Sequence, residues 1–230
     1  VEDILRRYEV DGIHFDDYFY PYPETGMAFP DSADYQRYRV GGGALGLADW
    51  RRDNVNRVIE RVGALVARVR PTARFGVSPF GIWRPGNPAG IVGLDAYNAI
   101  YCDAPRWMRM GWVDYLAPQL YWPSTQTAQA YGPLVRWWAD STADGRSVFG
   151  GNNLSRLGSS SAWTTDEIGT QLRLTRDNAA RGARGNIYFT ISQIRANRMS
   201  VAELLRRQYA TPALPPPIAT RRALTVAAPS

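Results

Sequence analysis

VDGIHFDDYFYPYP, residues 10–23, decides the fold. Val10, Ile13 and Phe15 stand among polar residues as in a strand, and the run ends in an acidic, aromatic turn. On a strand, Gly12, His14 and Asp16 share one face, while Ile13, Phe15 and Asp17 share the other. The apolar side is expected to pack on helices, which turns His14 and Asp16 toward the opposite side. Chemistry at the downstream end of a strand is the habit of parallel α/β folds.

Upstream, Ile4, Leu5 and Tyr8 form a short helical stripe that reads as the tail of a helix belonging to something longer. Downstream, residues 24–48 lack a period and read as a long loop. Asp49 is the expected N-cap of a helix to about Arg70, with Val55, Val58, Ile59, Val62, Val66 and Val69 at helical spacing. Strands are predicted at 73–81, 113–122, 147–152 and 184–191. Between them lie a short helix at 105–110, helices at about 128–139 and 164–180, and a last helix opening at Ser200. Thr164 with Glu167, and Ser200 with Glu203, have the capping-box spacing.

Strand and helix thus alternate five times, which argues for parallel strands with crossover helices. A doubly wound sheet and a (β/α)8 TIM barrel both fit. No GxGxxG follows a strand, which removes the dinucleotide fingerprint. Polar and aromatic residues gather instead at the carboxyl ends of strands, where a barrel keeps its active site. Five strands cannot close an eight-stranded barrel, so this chain is expected to carry the last five units, with about three leading units missing that closure needs. The barrel domain is placed at residues 1–210 and a Pro/Ala-rich linker or tail at 211–230.

The 230 residues are 45% hydrophobic and 12% aromatic, enough for a real core, so disorder and coiled coil are excluded for the whole. No apolar run approaches a membrane span. All 27 basic residues are arginine, which excludes a Schiff-base or phosphate-loop lysine. The net charge of +6 is scattered without a basic block, so no nucleic-acid partner is expected. Cys102 and His14 are single examples of their kind, which excludes disulfides within the chain and structural zinc. No cofactor and no metal are expected.

Asp16 and Asp17 are the expected catalytic carboxylates, since paired acids among aromatics are costly to keep without use. His14 is expected to hydrogen-bond Asp16 or a substrate hydroxyl. Tyr18, Tyr20, Tyr22, Trp83, Tyr121, Trp122 and Trp163 lie at strand ends or in the following loops. Aromatic faces stack on the apolar faces of sugar rings, so as a group they suggest a sugar cleft. Ala117, Gln119 and Tyr121 share a strand face, which makes Gln119 and Tyr121 candidate substrate contacts, with Ser78 and Asn152 added by position. Trp137 and Trp138 read as helix packing. Glycoside cleavage needs two carboxyl groups. Asp16 supplies one; the other is Asp17, an acid of the 24–48 loop, or, as favoured here, a group in the missing portion.

At DGIHFDDYFYPYP (11–23), DWRRDNVN (49–56), FGVSPFGIWR (75–84) and DYLAPQLYWP (114–123) the sequence resembles the glycosyl hydrolase-like 10 family of bacterial envelope proteins. The resemblance runs over roughly residues 1–205. It implies a (β/α)8 barrel, an extracytoplasmic location (periplasm, cell wall or secreted) and a glycosidase acting on a cell-wall polysaccharide, peptidoglycan glycan strands stripped of stem peptides. By match to the first motif it makes Asp16 and Asp17 active-site acids, and by match to the last it makes Gln119 and Tyr121 cleft residues. Rival expectations are a noncatalytic carbohydrate-binding barrel and a metal-dependent hydrolase using His14 and Asp16.

Overall fold

In the computed structural model, which describes residues 1–17, 19–143 and 145–217, the decisive segment is a strand, β1 (Gly12–Phe15), after a short helix α1 (Glu2–Arg7). The remaining strands are β2 (Arg74–Val77), β3 (Tyr115–Leu116), β4 (Ser147–Asn153) and β5 (Ala183–Phe189). All pair in parallel in the order β1-β2-β3-β4-β5. A doubly wound sheet reverses its strand order at a switch point. Here the order is monotonic, as in neighbouring units of a (β/α)8 barrel.

Burial distinguishes the two faces. Ile13, Phe75, Val77, Leu116 and Val148 pack into the main core with side chains of the helical layer. That layer consists mainly of α3 (Leu47–Val69), α5 (Ala104–Met110), α6 (Tyr131–Asp140) and α7 (Thr165–Asp177), after α2 (Ser32–Val40) and the single turn α4 (Ala96–Ala99). The other face stays open, and on it Ile187 and Phe189 are 37% and 47% exposed. A smaller core joins Leu154, Leu157, Trp163, Ile168 and Leu172 to Val201, Leu204 and Leu205. The last three belong to α9 (Val201–Gln208), which follows the short α8 (Ile191–Arg195). No described helix is long and apolar enough to cross a membrane.

Several expectations are corrected. The 24–48 segment is not all loop, because α2 lies within it; that helix buries no side chain, so no apolar period announces it. Helix α3 begins at Leu47 with Gly46 at its N-cap. Asp49 sits inside the first turn, where its Oδ1 accepts from Arg52 Nη2 at 2.6 Å. The β2 and β3 ladders are shorter than predicted, because Pro79 and Pro118 lack the N–H a ladder needs. Pairing resumes at Gln119, which bridges Phe80 on one side and Gly151 on the other. Thr164 caps α7 as expected, accepting from the Glu167 amide at 3.1 Å. Ser200 makes no side-chain cap at α9. Asn197 does that work: its Oδ1 accepts from the Ala202 amide at 3.0 Å and its Nδ2 donates to Glu203 at 2.8 Å. Residues 211–217 run irregularly to Pro216, whose carbonyl accepts from Arg74 at the start of β2. The rest of the expected tail, 218–230, lies outside the described residues.

Candidate active site

Parallel strands deliver their inward side chains to a common rim, and alternation selects which ones. From β1, His14 and Asp16 reach the open face, and from the segment following β3 come Gln119 and Tyr121. Gln119 Nε2 donates to Asp16 Oδ1 at 3.2 Å across 103 residues of sequence. This joins two expected site residues, and the Asp16 side chain is exposed. The Tyr121 phenol is pushed up to about 12, first by burial and then by the negative charges of Asp16 and Asp17. It therefore stays protonated and can donate a hydrogen bond into the site.

His14 does not bond Asp16 as expected. Its Nε2 stands 2.8 Å from Ser78 Oγ and its Nδ1 2.9 Å from the Tyr115 hydroxyl. The Tyr115 ring reaches that far by lying across Gly76, where a Cβ would meet the ring at 2.0 Å. Burial pushes the imidazole below its usual value, while the Asp16 charge opposes the shift. Ser78 is itself buried, so it acts on the site through His14. Tyr115 was missed, although it shares the parity of Gln119 and Tyr121 and was findable by the same alternation.

Asp17 points elsewhere than Asp16. Its Oδ2 accepts from Tyr22 at 2.9 Å, and its buried Oδ1 has no hydrogen-bond partner among the described residues. Tyr22, Phe80 and Trp122 form an edge-to-face row at 6.2 and 5.6 Å, a half-buried aromatic wall along the ends of the first three strands. Phe189 adds a ring 6.1 Å from Tyr121. Tyr20 stands beside this wall, near Phe29 and Tyr101. Tyr18 lies outside the described residues.

Other expected contacts are engaged elsewhere. Asn152 is buried under the sheet, donating to Gln171 and accepting from Asn186, both at 2.7 Å. Alternation turns Asn153 to the open side instead, and its Oδ1 accepts from the Ser155 amide and hydroxyl. Trp163 is a buried member of the small core, and Trp83 stacks on Trp137 at 5.8 Å and edges Tyr97. Glu167, read from sequence as part of a cap, accepts from the Ser124 amide and hydroxyl, both at 2.7 Å, and so ties down the loop that follows Tyr121 and Trp122. Of the loop acids, Asp31 is paired with Arg51, Asp34 with Arg37, and Glu24 is exposed. Asp114 is a structural group accepting from the Phe75 amide at 2.7 Å. Among the described residues no three His, Cys, Asp or Glu side chains cluster as metal ligands would.

A family model described as glycosyl hydrolase-like 10 matches residues 1–162. The glycosyl hydrolase YngK of Bacillus subtilis is 32% identical over 230 residues, covering 94% of this chain and 44% of that protein. The glycosyl hydrolase DigH of Escherichia coli is 42% identical over 144 residues, covering 61% of this chain and 32% of that protein. The chain thus spans less than half the length of these curated relatives.

Proposed function

The chain belongs to the glycosyl hydrolase-like 10 family, and from that premise we propose that it is the carboxyl-terminal part of a TIM-barrel glycoside hydrolase. The substrate is a bacterial cell-wall polysaccharide, peptide-free peptidoglycan glycan strands, and the place of action is extracytoplasmic. The observation that carries this reading is the Asp16 carboxylate on the open face at the end of β1, held by Gln119 beside a protonated Tyr121 and an aromatic wall. Such a site combines ring-stacking surfaces with a few fixed polar groups, as sugar recognition requires.

In this reading Asp16 is the nucleophile or the carboxylate that stabilises positive charge developing at the anomeric carbon. Gln119 fixes its rotamer, and Tyr121 donates to the sugar or to the displaced oxygen. Asp17 assists, oriented by Tyr22. The acid that protonates the leaving oxygen is Asp17 or a group elsewhere in the parent protein. His14 with Ser78 and Tyr115 holds the floor below Asp16 in a hydrogen-bonded, polar state. Further strands of the parent close the barrel against the open face.

The test is product release from peptide-free peptidoglycan glycans by the full-length parent and its Asp16→Asn variant, read by chromatography with mass detection. The parent is expected to release short sugars and the variant to lose at least about 100-fold in rate, as when a principal catalytic group is removed. Binding without turnover in both proteins would transfer the case to a noncatalytic carbohydrate-binding barrel.

A further inference from the structure

Beside the Asp16 rim lies a cleft of about 500 Å³ that shares Tyr20 and Tyr22 with the aromatic surroundings of that rim. Its walls are largely Tyr20, Met27, Phe29 and Tyr101, with Tyr22 at one end. Tyr20 is the hub, its ring 4.9 Å from both Phe29 and Tyr101 in edge-to-face contacts. Tyr22 lines this cleft and also donates to Asp17, so the cleft and the rim share Tyr22 as a common wall.

Two further features show that the cleft is built. Tyr101 has φ +56, a left-handed backbone that a bulky side chain rarely adopts, and such strain concentrates at binding sites. The strained residue is held by Arg51, whose Nη1 donates to the Tyr101 hydroxyl at 2.7 Å while Nε and Nη2 grip both oxygens of Asp31 at 2.8 and 2.7 Å. The Arg51 charge is therefore spent on Asp31. The other charged residue lining the cleft is Glu24, which is exposed and anionic.

We infer that this cleft is a sugar subsite for an uncharged 2-acetamido hexose ring, and that it disfavours a ring bearing a carboxylate. The inference rests on the glycosidase reading for its place along a glycan chain. Apolar aromatic walls accept the ring face and the acetamido methyl group. A paired Arg51 offers hydrogen-bond donors without net positive charge, and Glu24 repels an anion. In a glycan that alternates neutral and lactyl-bearing units, the cleft selects the neutral one and so sets the register of the chain across Asp16.

The experiment uses the full-length parent with Phe29→Ala and Glu24→Lys variants. Phe29 is 42% exposed, so its truncation leaves the core intact. Calorimetric titration compares a tetramer of N-acetylglucosamine with a peptide-free peptidoglycan tetrasaccharide, and turnover is compared on long and short glycans. Phe29→Ala is expected to weaken tetramer binding about tenfold and to lower the long-to-short ratio of kcat/KM by a similar factor. Glu24→Lys is expected to narrow the preference for the neutral tetramer. If the parent cleaves glycan and Phe29→Ala matches it in both readouts, the subsite is overturned while the glycosidase reading stands. If the parent cleaves nothing, that reading fails, and titration decides the cleft alone: weakened binding in Phe29→Ala sustains it and unchanged binding overturns it. An unaltered neutral-over-anionic preference in Glu24→Lys overturns the assigned ligand class.

Discussion

His14 is the one imidazole in the chain, and its surroundings give it a definite titration behaviour. Burial between Ser78 and Tyr115 disfavours the cation, so its pKa lies below the usual 6.5 despite the nearby Asp16 charge. As pH falls, the unfolded chain takes up this proton before the folded one does. The contribution of His14 to stability is therefore complete above pH 6.5 and is lost as pH falls through the window beneath it. An NMR titration of the imidazole, assigned with a His14→Gln variant, is expected to show a midpoint below 6.5; one at or above that value would mean that Asp16 outweighs burial. Of the residues found by strand alternation, Asp16 and Gln119 do meet and Tyr121 stands close enough to feel the Asp16 charge, because inward parity needs no knowledge of neighbours. Asn152 and Trp163 escaped that logic. Which face of β4 is inward depends on what packs beneath it, and Trp163 is claimed by a core that forms only when α9 arrives.

Elements meet through close approaches that residue preferences do not anticipate. Gly63 lies in the middle of α3, where alanine is ordinarily favoured by about 1 kcal/mol. Here an added Cβ would stand 2.2 Å from the Trp112 carbonyl oxygen, so backbone would have to move. Gly63→Ala is accordingly expected to destabilise by about 1–3 kcal/mol, the cost of overpacking, read by chemical denaturation; a more stable variant would show that helix propensity wins. Glu167 links α7 to the loop after β3 by accepting from Ser124 and Gln171. Glu167→Ala leaves those donors short of a partner at a cost of about 1–3 kcal/mol. Since that loop follows Tyr121 and Trp122, a raised KM is expected with the loss of stability, and an unchanged melting temperature together with an unchanged KM would refute the coupling. Helix α2 was invisible for the complementary reason: with no buried side chain it has no apolar face to print a period on the sequence.

For the whole molecule the governing fact is a five-stranded sheet with helices on one face. Its open face carries Ile187 and Phe189, and the outer sides of β1 and β5, which pair with no strand among the described residues, are templates for further pairing. Expressed by itself, the 230-residue chain is expected to associate or precipitate, with size-exclusion chromatography and light scattering showing species above monomer mass. A monodisperse monomer with one cooperative unfolding transition would contradict this. The alternation of strands and helices, the missing dinucleotide fingerprint and the acidic aromatic turn at 16–23 were legible in sequence because each is local, a matter of period or of residue chemistry. Those features by themselves determined a parallel α/β chain with Asp16 at a strand end. Only the tertiary structure decided that Gln119 rather than His14 holds Asp16, that Asn152 and Trp163 are interior, and that Arg51, Asp31 and Tyr101 frame a cleft beside the rim. Each of these joins segments far apart in sequence, and such contacts follow from how strands register and helices stack rather than from any local pattern.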